Sequence, residues 1–166
     1  MIELAVVQTP IGPLTLAARS GRICLLHFGD DQGAARATVT KWYGSVPITT
    51  VPDPAGGATV LERYFAGDID ALDTVAVEMN GTDFQRRVWA ALRDVKAGTT
   101  ASYSQVALAV GSPAAVRAVG AANGANPVAV VVPCHRIIGA NGTLTGYGGG
   151  LERKQWLLRH EGGRLF

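Results

Sequence analysis

The sequence predicts an α+β protein in two lobes. Residues 1–80 form a small N-terminal lobe with an antiparallel sheet and helices, and residues 81–166 form a mostly helical C-terminal lobe with a helix-turn-helix. Three observations lead there. Short apolar or β-branched segments separated by Pro- and Gly-containing turns crowd the first 30 residues. Two capping boxes open helical periodicities in the second half. The charge balance also reverses between the halves, with five Lys/Arg against nine Asp/Glu in residues 1–81 and ten against four in residues 82–166.

In the first lobe, Ile2–Val7, Leu14–Ala18 and Ile23–Phe28 read as a meander, broken by Pro10-Ile11-Gly12-Pro13 and Ser20-Gly21-Arg22. Gln32 to Tyr43 is expected to be helical, Gly44 to Gly57 a long loop rich in Pro, Gly and Thr, and Ala58 to Ala66 a second helix ended by Gly67. Leu72 to Met79 is expected to return to the sheet.

In the second lobe, Thr82-Asp83-Phe84-Gln85 is a capping box, followed by Phe84, Val88, Leu92 and Val95 at helical spacing and by Gly98. Ser102-Tyr103-Ser104-Gln105 repeats the box before a helix to Val110, which Gly111 ends. Ser112-Pro113 offers an N-cap serine and a proline at the first helical position of the next helix. Two short helices joined so tightly are a helix-turn-helix candidate. Leu151 to His160 reads as the last helix.

Nearly half the 166 residues are hydrophobic and 17% are charged, so the chain can bury a core and need not be disordered. The aliphatic run Val128–Val132 is too short to cross a bilayer. Met1-Ile2-Glu3-Leu4 lacks a basic segment before an apolar one. A cytoplasmic, monomeric protein with two free thiols, Cys24 and Cys134, is therefore expected. The basic second half is what a polyanion partner requires, and a merely solvated basic surface is the competing explanation.

The segment Asn126-Pro127-Val128-Ala129-Val130-Val131-Val132-Pro133-Cys134-His135-Arg136 carries the chemistry. A cysteine reacts as its thiolate, and nearby His or Arg would favour that form. Neighbouring residues point apart, so His135 should reach the Cys134 sulfur through a bridging water, with Glu161 orienting the imidazole. Upstream, Ala114 to Ala122 is a helix of small residues with the single charge Arg117. Small residues such as Ala115, Ala118 and Gly120 let a backbone approach another surface, and a lone arginine could enter a duplex. An Ala-rich helix packed inside the protein, with Arg117 in a salt bridge, would give the same pattern.

These residues resemble the O6-alkylguanine-DNA alkyltransferases, also called methylated-DNA–protein-cysteine methyltransferases. The likeness is dense from Gly81 to Gly162, through Arg117-Ala118-Val119-Gly120, Asn126-Pro127, Pro133-Cys134-His135-Arg136, Gly146-Tyr147-Gly148-Gly149-Gly150 and Leu157-Leu158 to Glu161-Gly162. It extends more loosely to Thr9-Pro10-Ile11-Gly12-Pro13-Leu14. The resemblance implies DNA repair by a single, irreversible alkyl transfer from O6-alkylguanine to Cys134, with O4-alkylthymine open as a second substrate. His135 and Glu161 would activate Cys134 through water, and Asn126 would hold the hinge and the network. Tyr103 would protonate or hydrogen-bond guanine N3, and Arg117 would replace the flipped nucleotide. Tyr147, Gly148 and Gly149 would close the substrate pocket. The partner implied is double-stranded DNA, docked by its minor groove on the helix-turn-helix. At Gly148 some relatives carry a serine, so here only backbone donors remain on that residue.

No cofactor or metal is expected. Cys24-Leu25-Leu26-His27 is only half a zinc site, and the Gly146–Gly150 run lacks the spacing of a phosphate loop. Trp42, Trp89 and Trp156 are assigned to the core. Two other classes fit less well. A cysteine hydrolase on Cys134, His135 and Glu161 would turn over and need an oxyanion hole. A non-catalytic DNA-binding regulator would have little use for a proline-flanked cysteine.

Overall fold

The computed structural model describes residues 1–162 and is α+β. It separates into two compact units, one of Met1–Asn80 with Pro127–Val131, the other of Gly81–Asn126 with the residues from Val132 onward. Among the described residues, no helix is long and apolar enough to cross a membrane.

In the first unit, β1 (Ile2–Val7), β2 (Leu14–Arg19) and β3 (Arg22–Phe28) form the antiparallel meander. The two-residue turn at Ser20-Gly21 places both residues at positive φ, the geometry a tight hairpin requires. The stretch 44–57, expected to be a loop, contributes a fourth strand, β4 (Ile48–Thr50), parallel to β1, and a 3₁₀ turn at Pro54–Gly56. The sheet order is β3-β2-β1-β4. Helix α1 (Gln32–Tyr43), capped by the Asp31 side chain, buries Ala35 and Val39 in a core with Ile2, Leu4, Ala17, Cys24 and Leu25. Helix α2 runs Gly57–Phe65, and an added Cβ at its first residue would sit 2.7 Å from Leu16 Cδ2 and 2.9 Å from Ile23 Cδ1, so a larger residue there would push these side chains aside.

Residues 72–79 do not form the expected strand. A 3₁₀ turn takes Ala71–Thr74, and the sheet contact shrinks to one parallel bridge between Val77 and Ile23. A second bridge joins Val128 to Leu26, with Leu26 N–H donating to Pro127 O and Ala129 N–H to Leu26 O, both at 3.0 Å. Together they cover the outer edge of β3, which would otherwise present unpaired backbone groups. Just beyond, the fully buried Val130 holds φ at 70°, a region that β-branched residues rarely enter.

In the second unit, α3 (Asp83–Arg93) starts at the Thr82–Gln85 box and α4 (Tyr103–Ala109) at the Ser102–Gln105 box, with both reciprocal bonds present in each. The Trp89 indole N–H donates to Ala122 O at 2.8 Å, tying α3 to α5 (Val116–Gly124). Helix α5 begins later than expected, with Ala115 rather than Ser112 at its N-cap. The Ala115 N–H donates to Ser112 O, so residues 112–115 close a turn of their own. The unit is completed by β5 (Ala101–Ser102), parallel to β6 (Ile137–Ile138), and by α6 (Leu151–His160).

Candidate functional site

Cys134 opens a 3₁₀ turn, Cys134–Arg136, that follows Pro133 and runs directly into β6. Its N–H donates to Val132 O at 2.8 Å, and the Asn126 side-chain amide donates to the same carbonyl at 2.7 Å. All three residues of the turn are buried, with Cys134 only 6% exposed. The turn fans the consecutive side chains apart, so Cys134 and His135 do not hydrogen-bond directly.

What holds the turn is Glu161, at the C-cap of α6. Its Oε2 lies 2.8 Å from His135 Nε2, and Arg136 grips the same carboxylate with two prongs, Nε to Oε1 and Nη2 to Oε2, each at 2.9 Å. The third arginine nitrogen, Nη1, donates to Val95 O at 2.7 Å. Gly98 permits this closure. At φ 86° it is in a conformation that suits glycine, and a Cβ there would approach Glu161 O to 3.0 Å.

The protonation states follow. Burial works to raise the Glu161 carboxyl, but His135 and then Arg136, through charge and hydrogen bonds, outweigh it and hold the group well below the ordinary carboxylate range. Burial lowers His135, against the opposing pull of Glu161, so the imidazole is neutral. An ionised carboxylate can only accept, so Nε2 carries the hydrogen and Nδ1 is the basic atom. That Nδ1 is buried and makes no hydrogen bond among the described residues.

Burial also pushes the Cys134 thiol up, and the groups that oppose it are the Asn126 amide, the Lys154 charge, the backbone and Tyr147. The sequence expectation that His or Arg would favour a thiolate is thus corrected: the imidazole is neutral and Arg136 is spent on Glu161. Burial favours the neutral thiol at this position. In the DNA-free protein, alkylation of Cys134 by iodoacetamide should therefore be slow at neutral pH and accelerate as pH rises above it. Peptide mapping separates this from Cys24, whose thiol burial raises to about 11. A Cys134 rate already on its plateau at pH 6 would show a standing thiolate.

Two residues missed in the sequence belong to this site. Lys154 is fully buried, its ammonium donating to Ile137 O at 2.5 Å and Thr145 O at 3.3 Å, and burial brings it down to about 8. Its signal was available: Lys154, Leu157, Leu158 and Glu161 recur at helical spacing and all four are buried. Thr145 had no such signal; its hydroxyl lies 2.7 Å from the Tyr103 hydroxyl across 42 residues of sequence.

The parallel β5–β6 pair, with Ser102 opposite Ile138, brings the start of α4 beside the strand that leaves Cys134. Tyr103 is the first residue of α4, and Gly120 on α5 would place a Cβ 4.0 Å from its ring. Arg117 and Ala118 are exposed on α5, Ala115 and Gly120 half-buried, and Arg117 forms no ion pair among the described residues. Burial raises the Tyr147 phenol well above its usual range, with Cys134 the next cause, so this side chain faces the sulfur. Gly148 is exposed, and an added Cβ there meets nothing within 4 Å. Among the described residues, no group of three or more His, Cys, Asp or Glu could hold a metal ion.

Residues 83–163 match the family model of the 6-O-methylguanine DNA methyltransferase DNA-binding domain. The chain is 57% identical over 159 residues to the methylated-DNA–protein-cysteine methyltransferase of Salmonella typhimurium, covering 94% of this chain and 93% of that one. Its structure resembles that of Mycobacterium tuberculosis O6-methylguanine methyltransferase, with a TM-score of 0.78, 42% identity and 97% and 93% of the two chains covered. It is equally similar to Mycobacterium tuberculosis OGT in complex with DNA, with a TM-score of 0.78, 42% identity and coverage of 96% and 92%. At such identity over nearly the whole of both chains, this protein belongs to the methylated-DNA–protein-cysteine methyltransferase family.

Proposed function

We propose that this chain repairs duplex DNA by moving the alkyl group of an O6-alkylguanine onto Cys134, once per molecule. The observation that carries the reading is the buried chain Cys134–His135–Glu161–Arg136. It provides a thiol beside an imidazole whose Nδ1 is basic and unengaged, with a carboxylate locked behind it. A bridging water passes the thiol proton to Nδ1, and Glu161 stabilises the imidazolium that results. The sulfur attacks the alkyl carbon in line, the bond from that carbon to O6 breaks, and Tyr103 offers a proton to the guanine ring nitrogen N3. Asn126 steadies the turn through Val132. Tyr147, with the backbone of Gly148 and Gly149, forms the wall over the base. The thioether left on Cys134 has no leaving group that these residues could release, so the protein is consumed.

The target atom lies inside a duplex, so the nucleotide must be flipped out. Helices α4 and α5 act as a helix-turn-helix in the minor groove. Exposed Ala118, with Ala115 and Gly120, keeps the approach close, and Arg117 fills the place of the extruded nucleotide. An exposed arginine without an ion pair on a helix of small residues supports that assignment over an internal salt bridge. Arg117→Ala should therefore slow repair of duplex DNA far more than reaction with free O6-benzylguanine, which has no stack to leave. Equal losses on both would place Arg117 in the chemical step or the fold. Monomeric action at one lesion suits a reaction that needs one cysteine.

Intact-mass measurement after mixing with an O6-methylguanine duplex tests the reading. The expected result is one methyl per protein, mapped to Cys134, with repaired guanine never exceeding the protein. Product well beyond that amount would mean turnover and would favour a hydrolase instead.

A further inference from the structure

The Tyr103 hydroxyl and Thr145 Oγ1 lie 2.7 Å apart, and either can be the donor. Both ends of this contact are anchored. Tyr103 opens α4 at the Ser102–Gln105 box, and a Cβ added at Gly120 would come to 4.0 Å from its ring. Thr145 is held through its own carbonyl by Lys154, whose ammonium also grips Ile137 O in β6, and β6 pairs with the strand that precedes Tyr103. A chance surface contact between two hydroxyls would not be tied back to the same two strands from both sides.

The direction of the bond decides its use. A phenol has one proton, and a tyrosine that spends it on Thr145 cannot give it to a departing base. A threonine hydroxyl is a rotor with two lone pairs and one proton, so the bond can reverse. We propose that Thr145 is the positioning residue for the leaving-group step. When a base accepts from Tyr103, the threonine donates to the phenol oxygen, aims its proton at the base and stabilises the charge left as that proton moves. This rests on the reading of Tyr103 and Cys134 given above. The step balances: the sulfur pair forms the S–C bond, the C–O6 pair returns to the purine, and the purine ring takes the Tyr103 proton. The thiol proton held on His135 restores the phenol.

The test compares Thr145→Val, which keeps the shape and loses the hydroxyl, with Thr145→Ser, which keeps the hydroxyl. Single-turnover methyl transfer from an O6-methylguanine duplex should fall roughly tenfold in Thr145→Val, the scale of a lost hydrogen bond to a charged group, and stay near wild type in Thr145→Ser. Methylation of Cys134 by iodomethane, whose iodide leaves without a proton, should be unchanged in Thr145→Val. In a Tyr103→Phe background the valine should add nothing, because the two residues act on one proton. Thr145→Ala serves in place of valine should the latter fail to fold.

Wild-type transfer rates in Thr145→Val, equal losses on DNA and iodomethane, or a further tenfold loss beyond Tyr103→Phe would each overturn the proposal. A wild-type protein that reacts with iodomethane but takes no methyl from DNA would instead overturn the alkyltransferase reading beneath it.

Discussion

Arg136→Met is expected to destabilise the second unit by about 3–5 kcal/mol, the scale for removing one partner of a buried ion pair. In a chain of this size that lowers the melting midpoint by roughly 6–20 °C. The arginine makes a two-pronged bond to a fully buried carboxylate and a third bond to Val95 O, and methionine can replace none of them. Glu161 would lose both guanidinium bonds and its counter-charge, and Val95 O would lose a donor.

The pH dependence has a definite sign. Glu161 is held below its unfolded value of ~4.3, so its contribution is present above that pH and lost as pH falls toward its folded value. His135, lowered by burial, acts in the same direction, because the unfolded chain takes up its proton from ~6.5 downward. Wild-type stability should therefore decline below about pH 6.5. The gap between wild type and Arg136→Met should narrow below about pH 4 as the carboxyl becomes protonated. Thermal melts of both proteins from pH 3 to 8 measure this. A constant gap across the range would show that Arg136 contributes packing rather than charge.

The same cluster shows what could be read from the sequence. The β1–β2–β3 meander and α1 were legible because alternation, turn residues and caps are local signals. Both capping boxes were legible for the same reason, since the serine or threonine and its glutamine lie three residues apart. Strand β4 was not, because Ile48–Thr50 is three residues long within a Pro- and Gly-rich stretch and becomes a strand only by pairing with β1. The start of α5 was misplaced by a plausible local signal, Ser112-Pro113, that closes a turn rather than a helix. In the site, Cys134, His135 and Glu161 were legible as chemical types in a recognisable pattern, whereas Arg136 was read only as a nearby charge favouring the thiolate and not as the partner of Glu161. The raised thiol could not be foreseen, because burial and the occupation of Arg136 by Glu161 are tertiary facts. The Tyr103–Thr145 pair depends wholly on which loops the β5–β6 pairing brings together.

Cys134→Ser should reduce methyl transfer below detection while leaving the fold and lesion binding in place. The reacting centre is a saturated carbon, and attack on it needs a polarisable, readily ionised nucleophile. His135, already lowered by burial, is a weak base and can assist a thiol far more readily than an alcohol. Residue 134 is buried, so a change of one atom that keeps the side-chain shape is the mildest available, and serine is smaller than the cysteine it replaces. Duplex binding, which the reading assigns to α4, α5 and Arg117, should survive and should weaken as salt rises, because phosphate contacts release counterions. Two measurements decide: intact mass after incubation with an O6-methylguanine duplex, and affinity for that duplex against an undamaged one. Loss of transfer with retained affinity for the lesion is the expected pair. Methylated serine would show that the site can ionise an alcohol, and residual repair without any protein modification would move the chemistry to a hydrolytic path. Loss of both transfer and fold would make the cysteine structural, leaving its small exposure and its hydrogen-bonded surroundings without a catalytic purpose.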